Sequence, residues 1–267
     1  YDALVRQTTG ANGNIAIGNY TGRAVVDSAS TSQLVAIGHS VASNASGALA
    51  GYQNVFIGYN IASTSALAGA FQNTALGGSA MTALSTGDQN TCIGNRAGDA
   101  ITTGSNNVLI GYDSGSDALT TVSTGSNNIV LGNNSTAVAE VKVDWTVGSD
   151  ERDKTDIENL PNNAGLNFVN QLRPVTYVWD NRSNYYKPTD EKYGERDHSK
   201  KSTTKQVGFI AQEVKAIEES IGWTEDHIVN TSNEQSYKLT YSQVIPMLTK
   251  AVQELSAKVE ELEKKLN

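Results

Sequence analysis

A short phrase that recurs along the first half of the sequence is the strongest constraint on the fold. Each copy is a β-prone run closed by a glycine, and the seven closing glycines are Gly18, Gly38, Gly58, Gly77, Gly94, Gly111 and Gly132. They are 20, 20, 19, 17, 17 and 21 residues apart. A period near twenty indicates stacked supersecondary units, because one unit alone has too little apolar surface to fold.

Each phrase is interpreted as a short buried strand. The closing glycine marks a position that needs a positive φ or a close approach of two backbones. Side chains of the strands are expected to stack into one continuous narrow core, for example Ile15, Ile17, Val55, Ile57, Leu109 and Ile110. Residues 1–148 therefore predict a β-roll or β-solenoid shaft. A thin repeat with few aromatic residues gains by burying a face against sister chains, so we expect a homotrimer.

Over about residues 12–135 the repeat resembles the heads of trimeric autotransporter adhesins and the shafts of some phage tail proteins. In those proteins glycine-closed strands stack into a left-handed parallel β-roll. The resemblance implies extracellular adhesion, with a host receptor or glycan as a candidate partner, and names no ligand. A repeat that serves only as scaffold and itself binds nothing is the simpler interpretation.

Charge and cysteine content exclude several classes of function. The net charge of -8 opposes binding to nucleic acid, which needs a concentrated basic face. The single cysteine, Cys92, excludes an intrachain disulfide framework. Three scattered histidines with one cysteine give no metal-ligand pattern, so neither a metal nor a cofactor is expected. No stretch approaches the roughly 18 apolar residues of a membrane span. Because the first residue is Tyr1, further fibre or tail parts are expected upstream.

The composition changes near Gly148–Ser149, since most charged residues follow this point. Four separated motifs and a heptad tail then occur in order: Ser149–Ile157, Leu172–Tyr177, Gly208–Val214, Leu239–Tyr241 and a helix after Leu248. In this order and spacing, nearly all of residues 149–267 resembles the peptidase S74 family, the intramolecular chaperone domain of phage tailspikes, endosialidases and neck appendages. Thr240 departs from the acidic residue expected before the tyrosine, and the cleavage motif is unaffected.

Ser149 and Lys154 are the candidate nucleophile and general base. A serine becomes a good nucleophile when a base takes its proton, and a lysine can be that base if burial leaves it neutral. On a helix these two residues would point apart, so they must meet through a turn, a bent strand or a neighbouring subunit. Asp150 and Arg152 have two interpretations, a solvated charge run or residues that orient the loop around Lys154.

Ring size favours one scissile bond. Attack of the Ser149 hydroxyl on the carbonyl of Gly148 forms a five-membered ring, whereas attack on its own carbonyl would need a strained four-membered ring. Cleavage between Gly148 and Ser149 is therefore favoured, and the Ser149–Asp150 bond is the second choice. Gly148 is expected to help by tolerating unusual backbone angles at a strained bond.

The region between this site and the tail has mixed character. A helix followed by a strand is expected over 160–178, with Arg173-Pro174 marking the helix end. Residues 180–205 are polar and are interpreted as an exposed hairpin or mobile loop. This segment is the candidate arm that contacts the folding shaft, and a simple connector is the alternative. In 208–214 Gln212 and Glu213 are expected to be structural hydrogen-bonding residues, and the three histidines are expected to be structural or solvent-facing.

The C-terminal tail predicts a parallel coiled coil. Apolar residues alternate at steps of four and three, at Leu248, Val252, Leu255, Val259, Leu262 and Leu266. Such a helix would bring three C-termini into register, which matters because identical strands can pair in slipped registers. The predicted domains are therefore a shaft over 1–148, a chaperone over 149–244 and a trimerisation helix over 245–267.

These expectations describe a phage tail fibre or spike that folds in the host cytoplasm and becomes part of the virion. Its C-terminal domain would guide trimeric folding and then release itself by Ser149–Lys154 autoproteolysis. The first alternative is a structural or adhesion fibre that is never cleaved and keeps a permanent C-terminal clamp. The second is an enzyme acting on host polysaccharide, but the sparse acidic residues of 1–148 show no repeated carboxylate pairing.

Overall fold

The computed structural model describes residues 13–22, 33–43, 52–64, 67, 69–117, 121–186, 190–234 and 236–266. The chain forms two compact units. One comprises Tyr1–Glu140 with Tyr186–Gly194, and the other comprises Val141–Tyr185 with Glu195–Asn267. The predicted boundary between Gly148 and Ser149 stays a prediction.

A seven-stranded parallel sheet forms the repeat unit, and its strand order follows the sequence. The strands are β1 (Ile15–Ile17), β2 (Val35–His39), β3 (Val55–Tyr59), β4 (Thr74–Gly78), β5 (Thr91–Ile93), β6 (Val108–Ile110) and β7 (Ile129–Leu131). Each strand coincides with one copy of the sequence phrase. The predicted β-solenoid is therefore confirmed.

The core of this solenoid lies on the opposite face of the strands from most of the side chains that were expected to form it. The second residue of the strand points inward, and Phe56, Cys92 and Leu109 are completely buried at this position. The residues on either side of it point outward, because successive side chains of a strand alternate between faces. The expectation was thus correct for Leu109 and wrong for Ile15, Ile17, Val55, Ile57 and Ile110, which are exposed or only half-buried.

The closing glycines have both properties expected of them. Gly38 has φ of 136°, in the left-handed region that favours glycine. A Cβ at this position would lie 1.7 Å from the carbonyl oxygen of Gly58 in the next coil. Any side chain there would force neighbouring coils apart, so glycine at the end of the phrase sets the spacing of the stack.

A ladder of buried asparagines also joins the coils. The Oδ1 atom of Asn73 accepts hydrogen bonds from the backbone N–H and the side-chain amide of Asn90, both at 3.0 Å. Asn90 accepts the same pair from Asn107, at 3.1 and 2.9 Å. Because each amide is buried, these bonds satisfy polar groups that would otherwise be costly to bury.

The second unit has mixed α and β structure. Its helices are α1 (Leu166–Gln171), α2 (Ala211–Ser220) and α3 (Val244–Leu266). Two short antiparallel pairs join β8 (Val175–Val178) to β9 (Lys205–Gly208) and β10 (Val229–Asn230) to β11 (Lys238–Leu239). The predicted helix and strand around Arg173-Pro174 are confirmed by α1 and β8.

A small hydrophobic core holds this unit together. Phe168 of α1, Val214 of α2 and Met247 of α3 meet in it, together with Ile228 and Val229. The carboxylate of Glu254 on α3 accepts a 2.8 Å hydrogen bond from the backbone N–H of Leu166 at the start of α1. The first half of α3 is therefore fixed to the globular part of the unit.

Candidate active site

A single tight turn brings Ser149 and Lys154 together. Residues Glu151–Asp153 form one turn of 3-10 helix, and the side chain of Asp150 caps it by accepting a hydrogen bond from the backbone N–H of Arg152 at 2.9 Å. The backbone N–H of Lys154 closes the turn on the carbonyl of Glu151 at 3.1 Å. The Nζ atom of Lys154 then lies 2.7 Å from the Oγ atom of Ser149. A turn of the same chain, and not a bent strand or a neighbouring subunit, therefore brings Ser149 and Lys154 together.

Asp150 and Arg152 form a bidentate ion pair on this turn. The Nε and Nη2 atoms of Arg152 donate to the two carboxylate oxygens of Asp150, at 3.0 and 2.6 Å. This guanidinium holds the pKa of Asp150 below its usual range, and the carboxylate in turn raises the pKa of Arg152. The pair lies on the turn between Ser149 and Lys154. That it orients the loop around Lys154 stays a prediction.

The site is open to solvent in the single chain. Ser149, Asp150, Arg152 and Lys154 are all exposed. A lysine acts as a base only after losing its proton, and burial is the usual way in which proteins achieve this. The dyad therefore has its hydrogen bond, but the described part of the chain does not remove it from water.

Gly148 does not have the strained geometry expected of it. It is absent from the residues with positive φ, and a Cβ built on it would meet no atom within 4 Å. Among the described residues, nothing in the single chain requires a glycine at this position. Any strain at the Gly148–Ser149 bond would have to arise when further chains pack around it.

The remaining motifs of this half contact each other directly. Arg173 forms an ion pair with Glu213, through two nitrogens and both carboxylate oxygens, and this lowers the pKa of Glu213. The hydroxyl of Tyr241 accepts a 3.1 Å hydrogen bond from the backbone N–H of Phe209. A Cβ on Gly208 would lie 2.2 Å from that hydroxyl oxygen, so this position requires glycine. These contacts are structural, as expected for Glu213.

Helix α3 has two apolar faces. Val244, Met247 and Ala251 are buried against the globular part of the unit. The predicted trimerisation residues instead form an exposed stripe along the helix, consisting of Leu248, Val252, Leu255, Val259, Leu262 and Leu266. Ile245 extends this stripe by one step and was not identified from the sequence. An uncovered apolar stripe at heptad spacing is typical of a coiled-coil end.

The polar segment 180–205 has more order than its composition indicated. The carboxylate of Asp180 accepts a 2.8 Å hydrogen bond from the hydroxyl of Tyr185 and lies 2.7 Å from Nδ1 of His198. The backbone N–H of Lys200 donates to the same tyrosine oxygen at 2.7 Å. These contacts fold residues 180–186 against 198–200, which favours the exposed hairpin among the two alternatives. A contact of the segment with the shaft stays a prediction.

Two buried groups on α2 and in the shaft were not recognised in the sequence. Glu218 is completely buried, and its Oε1 atom accepts a 2.6 Å hydrogen bond from the backbone N–H of Ile228. In the shaft, burial raises the pKa of the Cys92 thiol to about 12. The sequence does not signal the burial of either residue. A glutamate in a helix and a cysteine in a strand can equally well lie at the surface.

The described residues contain neither a candidate membrane span nor a candidate metal site. No helix among them is long and apolar enough to cross a membrane. Within the same ranges, no group of three or more histidine, cysteine, aspartate or glutamate side chains could hold a metal ion.

Comparison with known protein families gave a match to part of the chain. The family model Peptidase_S74, described as the chaperone of endosialidase, matches residues 149–223. The match begins at Ser149, includes the turn that carries Lys154, and continues through α2. No curated protein and no solved structure gave a significant match.

Proposed function

We propose, from the match of residues 149–223 to the Peptidase_S74 family model, that this chain is a phage fibre or spike component with a self-releasing intramolecular chaperone. The chaperone role follows from the family. Self-release is the finer step, and the observation that carries it is the 2.7 Å hydrogen bond between Lys154 Nζ and Ser149 Oγ at the first residues of the match.

The order of events begins with association of three chains. The exposed stripe of α3 would form a parallel coiled coil and bring the three chains into register. Winding of the β-repeats would then proceed from the C-terminal end. This order avoids slipped pairing, to which short repeated strands are prone because non-local β pairing is slow and one register resembles the next.

The outer face of the solenoid supports association along the shaft. The third residues of the strands stack in register from coil to coil, as Ile57 on Leu76, Leu76 on Ile93 and Ile93 on Ile110. The last three of these are exposed. A continuous ladder of large apolar side chains in water is unusual for a monomeric protein and marks an interaction surface. We assign this outer ladder to contacts between sister shafts.

The cleavage step uses only groups of the turn. Burial on assembly would leave the Lys154 amine neutral, and this amine would take the proton from Ser149 Oγ. The oxygen attacks the carbonyl carbon of Gly148, and the Gly148–Ser149 C–N bond breaks as the lysine returns the proton to the Ser149 nitrogen. Water then hydrolyses the resulting ester, leaving a carboxylate on Gly148 and a free hydroxyl on Ser149.

Cleavage would give the shaft kinetic stability. Once residues 149–267 are released, the shaft has lost the element that guided its folding and cannot easily unfold along the same route. A rate of unfolding, and not an equilibrium, would then determine how long the fibre survives. This is a useful property for a protein that must persist outside the cell.

A denaturing gel with intact-mass measurement of freshly expressed full-length chain tests the proposal. Two fragments whose masses correspond to 1–148 and 149–267 are expected. Fragments ending at Ser149 would indicate the second-choice bond. A single full-length species in a stable trimer would instead support the permanent clamp and would refute self-release.

A further inference from the structure

The residues immediately before the candidate site belong to no helix or strand, and every second one of them is apolar. Val141, Val143, Trp145 and Val147 alternate with Lys142, Asp144 and Thr146. Trp145 is 72% exposed and Val147 is 81% exposed. Alternation with a period of two is typical of a strand whose apolar side is covered. In the single chain this side is uncovered.

The backbone of the same segment also lacks the partners that a strand needs. Among the described residues, 141–147 make no backbone hydrogen bond to another segment, and the N–H of Trp145 bonds only to the adjacent Asp144 carboxylate, at 2.8 Å. A segment whose backbone groups are unpaired can act as a template for pairing with another chain. The uncovered apolar side chains and the unpaired backbone groups thus both indicate that a partner segment is missing.

We infer that the missing neighbour is the same segment of two further copies of this chain. The inference rests on the proposed trimer and deepens it by assigning a contact next to the reacting bond. Residues 141–147 and α3 belong to one compact unit, and α3 independently presents a heptad stripe that fits identical helices. Three identical strands around a common axis would bury the alternating apolar face at the centre. They would leave Lys142, Asp144 and Thr146 in water.

This junction would complete the site that the single chain leaves open. Val147 is followed by Gly148 and then by the nucleophile Ser149. Burial of Val147 against its copies would hold the Gly148–Ser149 peptide in place and exclude water from one side of the Ser149–Lys154 pair. Segment 141–147 would therefore make cleavage depend on correct winding of the neighbouring shaft, with each copy contributing to the surroundings of the others.

Site-directed crosslinking tests this contact without relying on cleavage. The full chain carries Ser149→Ala to prevent cutting and Cys92→Ala to remove the native thiol. Val143→Cys is added on the apolar face, and Asp144→Cys is the matched control on the polar face. Two cysteines can be bridged only when their Cα atoms approach within about 7 Å. After mild oxidation, V143C is expected to give a covalent dimer on a denaturing gel, and D144C to lose that band.

Sedimentation of the same samples tests trimer formation separately from the strand contact at 141–147. Trimers in which V143C and D144C crosslink equally, or in which neither crosslinks, would overturn the strand junction and leave the trimer intact. Monomers would overturn the trimer itself. As a second measurement in a cleavage-competent chain, Val143→Ser with Trp145→Ser should form trimers that cut more slowly than those of Lys142→Ser with Thr146→Ser. Equal cleavage rates in the two pairs would refute the coupling of junction to site.

Discussion

Lys154 donates a 2.7 Å hydrogen bond to the hydroxyl oxygen of Ser149, although four residues separate them in the sequence. The contact exists because Asp150 caps the intervening turn and pairs with Arg152. A capped 3-10 turn is a local structure, so it can form before any subunit association. The geometry of the dyad is therefore built into each chain, whereas in the proposed mechanism its removal from water would come from assembly.

Replacing either member of this dyad should give uncut trimers. Ser149→Ala removes the nucleophile and Lys154→Ala removes the base, and neither side chain is buried, so folding should be unaffected. Lys154→Arg is the sharper variant, because arginine keeps donors for the hydrogen bond but stays protonated at any ordinary pH. Intact mass should show only full-length chain in all three. Lys142→Ala is the control and should cut normally; wild-type cleavage in any dyad variant would contradict the proposed roles.

Loss of the Asp150–Arg152 pair should slow cleavage without stopping it. Asp150→Asn removes the ion pair and loosens the turn, and a misplaced reacting group of this kind costs roughly 10- to 100-fold in rate. Asp153→Asn, in the same turn but outside the ion pair, should have little effect. Time courses on denaturing gels measure both rates, and equal rates would show that the pair is only a surface contact.

The same pair predicts a pH dependence of the turn. Because Arg152 lowers the pKa of Asp150, the pair stabilises the turn above the ordinary carboxyl pKa of about 4, and this contribution is lost as the pH falls through the lowered value. The order of the turn should therefore stay constant around neutral pH and decrease only in acid. NMR of the Arg152 side chain in Ser149→Ala chains would follow it, with Asp150→Asn as the control.

The repeat shows what could be predicted from the sequence and what could not. Strand positions followed from the period, and the closing glycines followed from the need for tight contacts. The direction of the core did not, because the first three residues of most strands are all apolar and give no alternation to mark the inner face. Small residues at the second strand position, such as Ala36 and Ala75, are a sequence sign of the narrow interior.

At the candidate site, the roles of Ser149 and Lys154 and the need for their contact could be suggested from the sequence, but the turn that brings them together could not be chosen over a bent strand or a neighbouring subunit. An aspartate before a short turn is a common cap, so Asp150 gave a usable signal. The strain assigned to Gly148 was an inference from residue type alone, and the described chain does not show it. The alternation of apolar residues over 141–147, on which the proposed strand junction rests, was not recognised because it lies in the stretch where the composition changes.

Adjacent residues on opposite faces of β6 should respond differently to substitution. Leu109 is completely buried, so Leu109→Ala should lower the free energy of unfolding by about 2–5 kcal/mol per chain. Ile110 is 40% exposed on the outer ladder, so Ile110→Ser should leave the coil intact and weaken association. Thermal unfolding measures the first effect and sedimentation the second. The reverse pattern would show that the outer ladder is not an interface.

The stripe on α3 should be needed for registration. Val252→Asp with Leu255→Asp places charges in the expected coiled-coil seam and should prevent trimers, leaving the repeat aggregated or unfolded. Gln253→Asp with Ser256→Asp is the matched control, because these residues lie on the same helix outside the stripe. Sedimentation of both pairs decides the outcome. Normal trimers in the first pair would refute the registration role.

The last prediction is that the shaft needs residues 149–267 in order to fold. A chain ending at Gly148 should be insoluble or monomeric when expressed directly, because short repeated strands without a registering element pair slowly and out of register. The same polypeptide made by cleavage of the full chain should remain a soluble, heat-resistant trimer. Cys92 reports the difference, since its buried thiol, with its pKa raised to about 12, should resist alkylation in a wound shaft and react in an unwound one. Equal yield, melting and alkylation rates for the two preparations would show that residues 149–267 are not a folding device.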